Sequence, residues 1–440
     1  MQRFYRVLIL GLFMLMMANP IFFFCGEGQT MKNLRVNAKR IEQQITKLAE
    51  FGKTPEGGVH RVAYSEEDVK AREYITTLMK AAGLAVQIDA AGNILGRLEG
   101  SENSLPPILS GSHIDTVPHG GKFDGAVGVL SAIECVRVLV ENEVQTRHPL
   151  EVIVFTDEEG GLVGSRAMNG TLSSEALKEK SHSGKTVREG LLALGGDPDN
   201  LDSVKRQEGD IKAFIEIHIE QGRILEMKDI DIGVVEGIVG IAWWDVTITG
   251  YANHAGTTPM NMRQDSLLAA AHFILAVNRI VTGVEGSQVG TVGRITAEPG
   301  APNVIPGKVV MSLELRDLSA DKIQSLYKKI EGEAAIISQK TGTEITFDPI
   351  DAMAIPAPTD PAIRRHIAES AEELGLTAHF MPSGAGHDAQ DMAKIAPTGM
   401  IFIPSVGGVS HSPEEFSRMS DIVNGANVLL KTILKIDQQR

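Results

Sequence analysis

Apolar residues recur three and four positions apart in RIEQQITKLAEFG and again in SEEDVKAREYITTLMKAAG. Each run closes on a glycine, so two helices are predicted between Asn33 and about Gly83. LAVQIDAAGNILGRLEG then reads as strand, Asn-containing turn and strand, and PPILSG as a short buried strand. From Ala126, AVGVLSAIECVRVLVENE is a helix apolar around most of its surface, the pattern of a helix buried against a sheet. LEVIVFT is continuously apolar, as strands inside mixed or parallel sheets are. Residues 172–210 are polar helix-and-loop material. A period of two returns in AFIEIHIEQG, where alternation puts Ile215, Ile217 and Ile219 on one face and Glu216, His218 and Glu220 on the other.

The rhythm then changes. AWWDVTITG reads as a strand, DSLLAAAHFILAVNRIV as a helix, VGTVGRITAEPG and KVVMSLELRD as strands, ADKIQSLYKKIEGEAAIISQKTG as a helix and EITFDPI as a strand. The order β-α-β-β-α-β is the split βαβ, ferredoxin-like arrangement, and it is complete in itself. It is predicted as an inserted α+β lid over residues 241–351. PAIRRHIAESAEELG, TAHFMP and GMIFIP supply helix and strand to finish the first sheet, so 31–240 and 352–440 form one discontinuous catalytic domain. The expected class is α/β: a mixed sheet with helices on both faces, plus the insert.

Composition narrows the partners. The chain has 440 residues, 43% hydrophobic and 22% charged, which suits a soluble protein of two domains. Lys and Arg total 42 against 56 Asp and Glu, a formal charge of −14 with no basic run, which argues against nucleic acid. Two cysteines, Cys25 and Cys135, form no disulfide framework and no zinc-finger spacing, so any metal must be held by His and carboxylates. Cys135 lies in an apolar helix and is predicted as a buried filler. Arg3 and Arg6 precede VLILGLFMLMMANPIFFFC, the layout of an export signal or membrane anchor over residues 1–30. The alternative is a cytoplasmic protein starting at Met31. Any membrane link runs through this segment alone.

Candidate chemistry gathers between Gly111 and Glu159. GSHIDTVPHGGKFDGAVGVL and LEVIVFTDEEG supply His113, Asp115, Asp124, Asp157, Glu158 and Glu159 where apolar strands end. Divalent metals of the zinc and manganese type take neutral imidazole and carboxylate ligands, and open α/β sheets build sites at strand carboxyl ends. His218 offers a further imidazole. In the insert, NHAGTTPM carries His254, APNVIPG holds Asn303 in a loop stiffened by Pro302 and Pro306, and LELRD ends in Arg316, whose fork matches carboxylates. SGAGHDAQD contributes His387 and Asp388 in a Gly-rich turn, and GGVSHSPEE contributes His411.

Together, GSHIDTV, GGKFDGAVGV, TDEEG, HIEQG, NHAGTTPM, APNVIPG, LELRD, SGAGHDA and GGVSHSPEE resemble the M20 metallopeptidase superfamily. They are most similar to its amidase branch of N-carbamoyl-L-amino-acid hydrolases, allantoate amidohydrolases and β-ureidopropionases. One stretch departs from that pattern: the chain runs GLVGSRAMNG after DEEG, where family members often carry a longer segment with an Arg-Phe pair.

The resemblance implies two divalent metals, zinc or manganese, with cobalt or nickel also accepted by such ligands. His113, Asp124 and His218 would bind them, Asp124 bridging, with Glu159 and His411 completing the set. Asp115 would hold His113 in its ligating tautomer, and Glu158 would be the general base. Arg316 and Asn303 would take a substrate α-carboxylate and Gln221 a ureido group, while Gly384 and His387 line the pocket. His254 would stabilise the oxyanion from the neighbouring subunit, which implies a homodimer through the lid. The implied reaction is cleavage of the C–N bond of an N-carbamoyl amino acid or allantoate. Two rivals are an aminoacylase or dipeptidase of the same superfamily, and a non-catalytic ligand-binding relative.

Overall fold

The computed structural model describes residues 33–439, leaving aside the side chains of 351–353. The expected export or anchor segment, 1–30, lies outside the described residues. Among those described, no helix is long and apolar enough to cross a membrane.

The main sheet is built from β1 (Ala85–Ile88), β2 (Ile94–Leu98), β3 (Ile108–Ser112), β4 (Leu150–Val154), β5 (Ala213–Ile219) and β6 (Ile232–Ile238). Between β6 and the rest of this sheet the chain makes an excursion. It comprises β7 (Gly240–Thr249), β8 (Asn253–His254), β9 (Val289–Thr291), β10 (Ile295–Glu298), β11 (Val304–Ile305), β12 (Lys308–Asp317) and β13 (Glu344–Ala354). Then β14 (Ala357–Pro358), β15 (Ala378–Ser383) and β16 (Thr398–Ile403) return to the first sheet. Its order is β1-β2-β4-β3-β5-β16-β6-β14, with β15 also pairing β6. β4, β3, β5 and β16 are mutually parallel, whereas β1, β2, β6 and β14 bring antiparallel pairings, so the sheet is mixed.

Helices α1 (Ala38–Leu48) and α2 (Glu66–Ala81) form where the spacing predicts them, capped by Asn37 and by Ser65, whose side chain accepts from the Asp68 N–H. α3 (Ala126–Glu141) is buried along nearly its whole length, as its apolar sequence requires. Cys135 is buried and free within it. β5 alternates as its sequence predicts and is buried on both faces. Ile217 packs toward the closing helix, while Phe214, Glu216 and His218 face a short helix at Asp388–Met392. The polar face of β5 is thus an interior layer.

The inserted sheet runs β10-β12-β7-β13, antiparallel throughout, with β9 on β12. Counted within the insert, that is the 4-1-3-2 order of a split βαβ pair read from its far edge. α4 (Ser266–Thr282) and α5 (Ala320–Thr341) cover one face, over a core of Trp244, Val246, Phe273, Leu313 and Ile330. The strands run from Gly240 to Ala354 and so overrun 241–351 at both ends. The expected single strand VGTVGRITAEPG is divided into β9 and β10. Beyond the insert, α6 (Pro361–Glu373) starts on the Asp360 cap with proline in its first turn, where the missing N–H costs nothing. The closing helix α7 (Met419–Asp437), absent from the sequence reading, packs on α1, α3 and α6.

Candidate metal centre

The parallel strands β4, β3, β5 and β16 end at one edge of the sheet, and the predicted acids and imidazoles follow those ends. His113 comes directly after β3, Glu158 and Glu159 after β4, His218 near the end of β5, and His411 after β16. Asp124 arrives from the loop before α3, next to Gly125, whose backbone is left-handed at φ +60. A Cβ there would lie 2.5 Å from the His113 ring, so only glycine fits beside the aspartate.

Asp124 is the hub. Its Oδ1 lies 3.4 Å from His113 Nε2 and 3.0 Å from His218 Nε2, and its Oδ2 lies 3.4 Å from His411 Nε2. Glu159 Oε2 is 3.4 Å from His411 Nε2, whereas Glu158 Oε2 is 3.6 Å from His113 Nε2. The two adjacent glutamates therefore address different imidazoles. Ligand atoms of His113, Asp124 and His218 all lie within 4.8 Å of one another, as do those of Asp124, Glu159 and His411. Two three-ligand groups sharing one carboxylate result. His113, Glu158 and Glu159 also meet this limit, so Glu158 stands within ligand reach as well.

The tautomers follow from the hydrogen bonds. His113 Nδ1 is 3.0 Å from the Asp115 carbonyl and His218 Nδ1 is 2.9 Å from the Ile219 carbonyl; a carbonyl only accepts, so both Nδ1 atoms carry the proton. When neutral, each ring turns an Nε2 lone pair into the cluster. His113 Nε2 and Glu159 Oε1 are buried with no hydrogen-bond partner, which suits a cation between them. Asp115 holds His113 through its backbone carbonyl, with its carboxylate Oδ1 3.7 Å from the same Nδ1. That carboxylate accepts the N–H groups of Glu158 at 3.4 Å and Glu159 at 3.2 Å, aiming both acids.

The charges are crowded. Burial pushes the Glu158 carboxyl well above its usual range against the pull of His113, and burial and Asp124 push Glu159 up to about 7. The hydrogen bond with Asp124 raises His411 to about 9. Without a cation these groups hold protons, and metal binding to such a set releases them. Strain collects here too: Asp157, Leu162, Gln221 and His411 are all left-handed without being glycine.

The cluster floors a cleft of about 220 Å³ lined by Leu162, Gln221, Ala385, Gly386 and His387 among others. Gln221 Nε2 donates to Asp124 Oδ2 at 2.8 Å, which leaves Gln221 Oε1 buried without a partner. His387 stands edge-on to His218 with ring centroids 4.5 Å apart, its Nε2 2.9 Å from Ser383 Oγ. Burial and the nearby His218 hold its pKa well below the ordinary histidine value. Arg316 reaches this rim, its Nη1 donating to the Gly384 carbonyl at 2.7 Å. His254 and Asn303 are not brought to the cleft. Both are exposed on the β8–β11 ribbon of the insert, where His254 stands opposite Val304 and the Asn303 carbonyl accepts from Ala255 N–H at 3.0 Å.

Residues 109–435 match the model of peptidase family M20/M25/M40. The chain belongs to this family. Among its relatives is an N-carbamoyl-L-amino acid amidohydrolase of Geobacillus stearothermophilus, 41% identical over 408 residues, covering 92% of this chain and 99% of the relative. A ureidoglycolate hydrolase of Arabidopsis thaliana is also 41% identical, over 423 residues, covering 93% of this chain and 89% of the relative. An allantoate amidohydrolase of Bacillus subtilis is 36% identical over 414 residues, covering 92% of this chain and all of the relative. Among solved structures, a hydantoinase/carbamoylase family amidase from Burkholderia multivorans superposes with a TM-score of 0.85 at 35% identity, covering 92% of this chain and 99% of that one.

This M20 chain supports its cluster with groups the sequence reading passed over. Glu415 accepts from the N–H of Phe123 at 2.9 Å and of Asp124 at 3.1 Å, and Ser410 Oγ lies between two carboxylates, 3.0 Å from Glu415 and 3.2 Å from Asp124, with one hydrogen to give. Arg61 is wholly buried and pins the His113–Asp115 turn by donating to the Ile114 carbonyl at 2.7 Å; it also donates to the Leu48 and Phe51 carbonyls at 3.0 Å. GGVSHSPEE contains Glu415, but nothing in it announces a bond to a loop 291 residues away. Arg61 carries no signal beyond being an arginine in an otherwise apolar run.

Proposed function

We propose that the protein is a metal-dependent amidohydrolase that cleaves the C–N bond of an N-carbamoyl amino acid, or of a related ureido carboxylate such as allantoate or ureidoglycolate. The observation that carries the substrate class is Gln221, which lines the cleft and whose Oε1 is a buried acceptor without a partner. A ureido NH2 satisfies it. An acyl methyl leaves it unpaired, and a buried unpaired acceptor costs about 1–3 kcal/mol. This disfavours the aminoacylase rival, and the complete His and carboxylate set disfavours a non-catalytic role.

Two divalent ions are the proposed cofactors, one held by His113, Asp124 and His218 and the other by Asp124, Glu159 and His411. Bound there, such ions polarise the scissile carbonyl and lower the pKa of water. Glu158, aimed by the Asp115 carboxylate, takes the proton of the attacking water and returns it to the leaving nitrogen. Arg316 holds the substrate carboxylate, Asn303 joins it from the partner's ribbon together with His254, and Gly384 and His387 wall the pocket. The 241–351 segment is the proposed lid, bounded by catalytic-domain segments 31–240 and 352–440.

Purified protein loaded with manganese or zinc is expected to release ammonia from N-carbamoyl-L-amino acids, allantoate or ureidoglycolate, and to leave the N-acetyl counterparts and dipeptides intact. Amine release from the acetyl or peptide substrates, with ureido compounds untouched, would transfer the protein to the rival class.

A homodimer joined through the lid is the companion proposal, with His254 serving the partner's cleft. It is supported by His254 being exposed on its ribbon rather than lining the cleft of its own chain. His254→Ala and Glu158→Gln proteins, each inactive alone, are expected to recover about a quarter of wild-type activity when subunits are exchanged, because one cleft in each mixed dimer regains both groups. Verified exchange without recovery would make each subunit self-sufficient.

A further inference from the structure

The face of the inserted sheet turned away from α4 and α5 carries a polar group with no assigned role. Along β7 and β12 the buried positions Ala242, Trp244, Leu313 and Leu315 belong to the helix-packed core. Strand alternation places Trp243, Glu314 and Arg316 on the opposite face, half-buried, with Glu314 directly across from Trp243. Arg316 Nε and Nη2 donate to the two Glu314 oxygens at 2.9 and 3.1 Å, a fork-to-fork pair. The Trp243 indole N–H also donates to Glu314. Burial alone would raise the Glu314 carboxyl, but the bonds from Arg316 and Trp243 outweigh it and hold it below the usual range.

A guanidinium has five N–H donors. Glu314 takes the Nε edge and the Gly384 carbonyl takes one Nη1 hydrogen, which leaves the rest of the terminal edge for a ligand. An unrestrained arginine on a sheet face would sample many rotamers and would give up that freedom on binding. Here the cost is met by the fold. Glu314 is itself fixed from behind by an indole that strand pairing sets opposite it.

We propose that Glu314 is a positioning residue, backed by Trp243, that aims the Arg316 fork at the carboxylate end of the substrate. This inference rests on the reading of Arg316 as the carboxylate clamp. It also makes Trp243 a reporter. The chain has only two tryptophans, and Trp244 is stacked on Tyr327 in the insert's core, so Trp244→Phe leaves Trp243 as the single tryptophan emitter.

The test uses the full-length metal-loaded enzyme with a turned-over N-carbamoyl amino acid and the free amino acid it yields. Glu314→Ala should raise KM and weaken amino-acid binding about tenfold, with kcat changed less than about threefold and metal content unchanged, the signature of lost aim rather than lost chemistry. Glu314→Gln, which keeps length and one acceptor, should fall between it and wild type. In the Trp244→Phe background, the amino acid should shift Trp243 emission, and Arg316→Ala should abolish the shift. Unchanged KM in both Glu314 variants, with Arg316→Ala strongly impaired, would overturn the role of Glu314 and leave the clamp standing. An unimpaired Arg316→Ala would remove the clamp itself. Equal losses in KM, kcat and metal content would make Glu314 a merely structural residue; should Glu314→Ala fail to fold, Glu314→Gln and the emission shift decide.

Discussion

Glu158→Gln is expected to retain its full complement of metal and to lose turnover by about 10²–10⁴-fold, the range that positioned general bases supply. The substitution keeps the shape of the side chain and removes only its capacity to take a proton. Two features of the site lead to this expectation. Glu158 Oε2 is 3.6 Å from His113 Nε2, while Glu159 is the acid within reach of Asp124 and His411. The backbone N–H groups of both acids are held by one carboxylate, Asp115, so their divergence is built in. Metal analysis and steady-state kinetics on the same preparation separate the possibilities. Loss of one equivalent of metal would reassign Glu158 as a ligand, which its distance to His113 and Glu159 permits, and near-normal turnover would remove it as the base.

Asp124→Asn is expected to have the second large effect, acting on the metals rather than on the proton. Asp124 is the one carboxylate common to both three-ligand groups, and it also receives the Gln221 amide and the Ser410 hydroxyl. An amide in its place offers a single neutral acceptor, and its N–H₂ donates to the imidazole Nε2 lone pairs that a cation would otherwise take. The variant should bind less than half the wild-type metal and retain below about a thousandth of the activity, since both the ions and the proton-transfer geometry depend on this one side chain. Wild-type protein should gain thermal stability on metal addition, by about 2.7 kcal/mol at a hundredfold excess over Kd, and the variant should not. Full metal stoichiometry in Asp124→Asn would show that the two groups do not share a ligand.

The legible part of the site was the part written in contiguous stretches. His113, Glu158, Glu159 and His218 stand at strand ends that the apolar runs PPILSG, LEVIVFT and AFIEIHI mark out, Asp124 stands in the Gly-rich loop before α3, and the structure gathers all five at one edge of the sheet. His411 and His387 were legible for the same reason, each in a Gly-rich turn beside β16 or β15. His254 and Asn303 were equally visible as motifs, yet they share a ribbon in the insert and do not line the cleft over the cluster of their own chain. Local sequence marks a reactive loop but carries no record of which cleft, or which copy of the chain, the loop serves.

The illegible part depended on partners far apart in sequence. Asp115 was expected to hold His113 in its ligating tautomer; the fold does this with the Asp115 backbone carbonyl, while its carboxylate, 3.7 Å from the same Nδ1, accepts from the N–H groups of the two glutamates. Glu415 reaches the Asp124 backbone, Arg61 pins Ile114, and Glu314 with Trp243 restrains Arg316, each through a contact that no spacing rule encodes.

Periodicity and motif order by themselves determined the layered α/β class, the ferredoxin-like insert and the residues able to ligate metal, because burial and strand-end chemistry are local and repeat along the chain. Only the tertiary structure decided that β5 is buried on both faces, which nitrogen of His113 and His218 carries the proton, and that Gln221 keeps an open acceptor. Those outcomes are hydrogen-bond and packing choices. They are settled by atoms brought within a few ångströms only after strands from both halves of the chain have paired, which is why the sequence names the participants and the fold assigns their roles.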